Sequence, residues 1–259
     1  MQIKVNKENL RDIKTWLQKY IHTYKNKGPD IQENIELKED HTKRVCNEIL
    51  TLGKRLGLND DELRLAEIIA LLHDVGRFEQ YARYGTFKDG KSVNHAELGI
   101  QILEKNGVLR NLNPSIQDLV KRSINYHNHV SLPVEETEAC LFYSKLLRDA
   151  DKLDIWKVVT DYYQRKNRKR NTGLELELPD TPGVSEKVVE AIRNKEAVNM
   201  KDLKNLNDFK LLQAGWIFDI NFEPSLEIIK ERRYLEKIEA ALPDLPETNE
   251  IFRIIYDEL

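Results

Sequence analysis

Cysteine is nearly missing from this chain. Cys46 and Cys140 are the only two in 259 residues, so a disulfide framework is excluded. Both lie among apolar neighbours, where a free thiol serves as a small buried hydrophobe. Proline is scarce, with 8 residues placed mostly near segment ends. No run approaches the ~18 uninterrupted apolar residues that a membrane span needs. The first dozen residues lack the apolar centre of a secretory leader. An excess of one charge is missing too. Lys plus Arg number 41 against 44 for Asp plus Glu, a net of −3. Such a chain is not a general polyanion binder, so nucleic acid is not the expected partner. These absences together predict a cytoplasmic protein that works without a membrane.

What the chain does have is ample core material. Apolar residues make up 40% and charged residues 33%, and a chain of this length buries roughly 70–75% of its unfolded surface. Apolar residues recur at helical spacing almost throughout. The pattern predicts helices at 7–26, 30–56, 60–75, 94–106, 114–128, 135–166, 185–194, 205–220, 225–241 and 247–258. The expected class is therefore all-α. Asn59 and Glu62 form a capping signal. Gly76 is placed as a left-handed helix stop, and Tyr81–Val93, with Gly85, Asp89 and Gly90, reads as a functional loop. The alternation in Leu174-Glu-Leu-Glu-Leu178 suggests a short hairpin arm. Arg165–Thr172 holds five basic residues, reads as a solvated connector, and divides the chain into 1–166 and 167–259. The second part has an apolar face (Leu226, Ile229, Leu235, Ile238, Leu242). It is expected to pack beside the core, cover its cleft or form a homodimer contact.

The histidines are unevenly placed. Five of six fall between residues 41 and 129. His41 continues the stripe Val45, Ile49, Leu52, Leu56; His73 continues Ala66, Ile69, Ala70. His95 aligns with Gly99 and Ile102, and His127 with Ile116, Val120 and Ile124. Asp151 follows Cys140, Ser144 and Leu147. Residues three, four and seven apart share a helix face, so each polar group points inward with its stripe. Unpaired buried carboxylates cost several kcal/mol, and a shared cation removes that cost. Imidazoles with carboxylates and no thiolates suit Mn²⁺, Fe²⁺, Co²⁺, Ni²⁺ or Zn²⁺, and carboxylate plus water also admits Mg²⁺. His22 sits on an ordinary amphipathic helix and reads as structural.

The ordered set His41, His73-Asp74 and Asp151 resembles the signature of the HD-domain metal-dependent phosphohydrolases. Leu71-Leu-His-Asp-Val-Gly76 looks like the family's "LLHDIG" block and Ala150-Asp-Lys-Leu153 like its "ADxL" block. The likeness covers roughly 38–160. It implies a helical core whose first metal is held by His41, His73, Asp74 and Asp151. Asn94-His-Ala-Glu-Leu-Gly99 and Tyr126-His127 resemble segments of two-metal members, which implies His95 and His127 as second-metal ligands with Asp74 bridging. The chain departs from the family in three places. Leu37 stands where three-metal members have Glu, Arg77 stands where a Lys often follows the HD pair, and no Gly-Tyr-Pro block follows His127-Asn-His129. These departures point away from a third metal and from cyclic-di-GMP.

The implied activity is hydrolysis of a phosphoester of a nucleotide or similar small molecule by a metal-activated hydroxide, with one or two divalent ions. Arg77, one turn past the ligand pair, is expected to hold a phosphate by two parallel hydrogen bonds. Lys88, Lys91 and Lys152 are further candidates for substrate binding. His129 is expected to act as acid or extra ligand if its helix ends near Tyr126. Trp156 is expected in the core, with stacking on a base as the other use. Two alternatives share this pattern: a di-iron oxygenase on the same fold and a non-enzymatic nucleotide sensor.

Overall fold

The computed structural model describes residues 3–25, 28–165, 171 and 174–259. Among these residues every regular element is a helix. The Leu174–Leu178 arm is a correction. It is a turn, with Leu176 and Glu177 at φ 50° and 55°, because alternation without a partner strand leaves the backbone unpaired. Most of the basic run, 166–170, lies outside the described residues. No described helix is long and apolar enough to cross a membrane.

The chain forms two compact units, Met1–Asp151 and Lys152–Leu259. The division falls inside a helix. The first unit is built from α1 (Lys7–Lys25), α2 (Pro29–Arg55), α3 (Asp60–Leu72), α4 (Val75–Tyr84), α5 (His95–Lys105), α6 (Pro114–Tyr126) and the first part of α7 (Glu138–Tyr163). α1 packs on α2, α3 and α4, α2 packs on α3 and α4, and α6 packs on α3 and α5. Val45, Ile49, Leu65, Ile69, Val120 and Ile124 are fully buried between them. All but Leu65 belong to the inward stripes of the sequence pattern, and burial of each side chain contributes about 1.5–3 kcal/mol. Asn59 caps α3 as expected, accepting from Asp61 N and Glu62 N, while its own N–H donates to Glu62.

The sequence pattern misplaces one boundary. The helix predicted over 60–75 ends at Leu72, and α4 begins at Val75 and runs through Gly76. Gly76 is therefore no helix stop. A Cβ there would lie 2.1 Å from the His95 carbonyl oxygen and 2.8 Å from Gly99 N. The residue is glycine so that α4 can lie directly on the first turn of α5. The left-handed stop belongs to Gly85, at φ 64°.

The second unit contains the rest of α7, then α8 (Glu186–Arg193), α9 (Leu206–Gly215), α10 (Glu223–Arg232), α11 (Tyr234–Glu239) and α12 (Pro246–Tyr256). The predicted helix at 225–241 is broken at Arg233, whose φ of 55° ends α10. Trp156 is fully buried, with its indole N–H on Gln213 O at 2.9 Å, which is a core role.

Candidate metal centre

The break between α3 and α4 makes the centre. His73 still has helical backbone angles, while Asp74, at φ −104° and ψ 16°, does not. Adjacent residues on an unbroken helix point about 100° apart; the turn at Asp74 brings both side chains to one place. His41 reaches the same place from mid-α2. His95 opens α5, whose Asn94 cap accepts from Ala96 N and Glu97 N. His127 ends α6, and Asp151 comes from α7.

Six donors meet in two groups, His41–His73–Asp151 and Asp74–His95–His127, with ligand atoms within 4.8 Å of one another in each. Asp74 joins the groups. Its Oδ2 lies 3.5 Å from His41 Nε2 and 3.6 Å from His73 Nε2. Its Oδ1 lies 3.4 Å from His95 Nε2 and 3.9 Å from His127 Nε2. Each group thus has one face of a single carboxylate.

The protons on the imidazoles can be assigned from their partners. His73 Nδ1 lies 2.8 Å from Ala70 O and His127 Nδ1 lies 2.6 Å from Ile124 O. A carbonyl oxygen only accepts, so both Nδ1 atoms donate. The neutral rings then turn bare Nε2 lone pairs toward Asp74, the arrangement usual for metal-binding histidine. His73 Nε2 and Asp151 Oδ1 are buried without a hydrogen-bond partner, although His41 Nε2 lies 3.1 Å from that oxygen. His95 Nε2 and His127 Nε2 face each other at 2.9 Å. Orphaned acceptors packed this closely fit divalent cations, which would satisfy them together.

Charge follows the same logic. Burial lowers the pKa of His73, against the pull of Asp74 and Asp151. Burial, then the neighbouring His95 and His73, push His127 down to about 3. Burial alone would raise Asp74, but Lys38, His73, Arg77 and His95 hold it well below the usual carboxylate range. Burial would raise Asp151 too, but His41 and His73 together hold it below the usual carboxylate range. Neutral imidazoles and ionised carboxylates are the forms that bind metal.

Other expected site residues are placed differently. Arg77 Nη1 donates to Gln80 Oε1 (2.9 Å), Asp89 Oδ1 (2.8 Å) and Phe87 O, while its Nε is buried without a hydrogen-bond partner 3.6 Å from Asp74 Oδ1. Lys152 donates to Asp219 Oδ2 at 2.6 Å. Lys88 is half-buried where the turn Asp89–Lys91 begins, and Lys91 is exposed at its end. α6 does end at Tyr126, but His129 is exposed, with its ring 5.6 Å from that of Tyr126, and it joins neither group.

Three residues escape the sequence reading. Lys38 Nζ lies 2.7 Å from Asp74 Oδ2. Its position one turn before His41 on the same face is the signal that could have found it. Asp89 accepts from His95; its loop stands out in the sequence, but its partner does not. Arg148, buried on α7, donates to the carbonyls of His127 (3.3 Å), His129 and Val130 (3.5 Å). It thereby closes the open end of α6, and no local motif announces it.

Residues 39–156 match the family model described as HD domain. That span contains all six donors. No curated protein and no solved structure matches the chain.

Proposed function

We propose that this chain, whose residues 39–156 match the HD-domain model, is a metal-dependent hydrolase that cleaves a phosphoester of a small molecule, a nucleotide or similar compound. The observation that carries this reading is Asp74, which turns one oxygen to each histidine group. A carboxylate so placed suits two cations side by side. His41, His73, Asp74 and Asp151 would hold one ion, and Asp74, His95 and His127 a second. Divalent ions bound there (Mn, Fe, Co, Ni, Zn or Mg) supply Lewis acidity and lower the pKa of water.

The chain's own groups prepare the site for that chemistry. The backbone carbonyls of Ala70 and Ile124 keep the Nε2 lone pairs of His73 and His127 available at neutral pH. The ionised Asp74 and Asp151 carry the negative charge that draws cations in. Lys38 is the candidate for holding a substrate phosphate, since its ammonium already contacts the centre. Arg77 is the second candidate, through the Nε that lies 3.6 Å from Asp74 Oδ1, since its Nη1 is committed to its own loop.

The test begins with metal analysis of protein purified without chelator. A panel of phosphomonoesters and phosphodiesters, nucleotides foremost, is then run with the metal found. Phosphoester cleavage, read as phosphate from a monoester or as the alcohol and monoester from a diester, that needs the metal and vanishes in Asp74→Ala supports the reading. Metal-dependent oxygen consumption without cleavage of any of these esters would overturn it.

A further inference from the structure

The His95–His127 pair has two ways to settle without a metal, and one nearby residue decides between them. His127 has no choice, because Ile124 O accepts from its Nδ1 at 2.6 Å, leaving Nε2 bare. His95 Nε2 faces that bare nitrogen at 2.9 Å. If His95 carried its proton on Nε2, it would donate to His127. The pair would then close as an N–H···N hydrogen bond, with both lone pairs consumed.

Asp89 prevents this. Its Oδ2 lies 2.7 Å from His95 Nδ1. A carboxylate only accepts, so the His95 proton must sit on Nδ1. Asp89 is itself held fast. Its Oδ1 accepts from Arg77 Nη1 and Gln80 Nε2, each at 2.8 Å, and its Oδ2 from Asn128 Nδ2 at 3.3 Å. Asn128 follows His127 and also donates to Asn94 Oδ1, the cap of α5, at 3.0 Å. One network therefore ties the loop to both histidine-bearing segments.

We propose that Asp89 is a positioning residue that keeps the His95–His127 pair open for a second divalent cation by fixing the tautomer of His95. This rests on the metal-dependent reading above, and it gives Arg77 and Gln80 their purpose as the braces of Asp89.

The test uses the full chain, stripped with chelator and titrated with Mn²⁺ alone, alongside Asp89→Asn. The amide can turn its NH₂ toward His95 Nδ1, which lets the ring carry its proton on Nε2. The wild type is expected to take up two ions. Asp89→Asn should keep the first and bind the second 10–100-fold more weakly, the usual effect of losing such a partner. Nitrogen-15 NMR of the metal-free proteins reads the tautomer directly, whatever the variant's stability: Nδ1–H at His95 in the wild type, Nε2–H in Asp89→Asn. Two ions bound with unchanged affinity by Asp89→Asn would overturn the proposal and leave the metal reading standing, as would Nε2–H at His95 in the wild type. A wild type that binds no Mn²⁺ would overturn both.

Discussion

Lys38 and Asp74 contact each other at 2.7 Å, with their side chains 19% and 4% exposed. In the metal-free protein this ammonium supplies part of the positive charge that a cation would bring. The two therefore compete for one oxygen. Lys38→Met should cost the metal-free protein about 2 kcal/mol, a figure reduced from that of a fully buried pair because Lys38 is partly solvated. It should also tighten divalent-ion binding, by about tenfold if it relieves about 1.4 kcal/mol of competition. Urea unfolding and Mn²⁺ titration measure the two effects. Lower stability with unchanged ion affinity would mean that Lys38 stands off the ions' ground. All six donors were readable as sequence because each ends an apolar stripe or belongs to a recognisable block. Lys38 was not, because its one signal, a place one turn before His41, gains meaning only when its partner across the fold is known.

α3, α4 and α5 show why periodicity fails at the element scale. Ala66, Ile69, Ala70 and His73 share a face, and nothing in that pattern says the helix must stop at Leu72. The stop is imposed by packing, as α4 turns back onto the start of α5 where Gly76 meets the His95 carbonyl. Glycine at that point looks like a terminator when only the local chain is considered, and Gly85 is the real one. An uncrowded glycine inside a helix and a crowded one predict opposite signs for Gly76→Ala. In a free helix the change stabilises by up to about 1 kcal/mol. Here the new Cβ would lie 2.1 Å from backbone, and overpacking of that kind costs about 3 kcal/mol or more. Chemical denaturation should show the loss, and Mn²⁺ titration should show weakened second-ion binding as His95 shifts with its helix. Gly90→Ala is the control: its Cβ would meet nothing within 4 Å, so its stability should stay within about 0.5 kcal/mol. If Gly76→Ala is as stable as wild type, the helices do not approach as closely as described. The break at Arg233 is the same lesson in the second unit, where an apolar stripe runs on across a left-handed residue.

Across the whole molecule, the buried centre ties folding to pH. Burial lowers the pKa values of His73 and His95 from the usual 6.5 and takes His127 down to about 3. In the unfolded chain these histidines accept protons near pH 6.5, whereas in the fold they resist. Between those limits the unfolded state binds more protons, so stability is greatest above about pH 6.5 and falls as pH is lowered through it. Each fully shifted histidine contributes about 1.4 kcal/mol per pH unit, so the metal-free protein should lose roughly 2–4 kcal/mol between pH 7 and 5. Asp74 and Asp151 act in the same direction lower down, because carboxylates held below 3.8 lose their contribution only as they protonate. Bound cations should lift the whole curve, by about 2.7 kcal/mol at a hundredfold excess over Kd. The lift should shrink toward pH 5 as protons compete for the same nitrogens. Thermal unfolding with chelator and with Mn²⁺ at each pH separates the two contributions. His127→Gln, which removes one of these lowered imidazoles, should flatten the metal-free slope. A metal-free stability that is level from pH 7 to 5 would mean that water reaches these rings, and that the lone pairs at the centre are solvated rather than waiting for a cation.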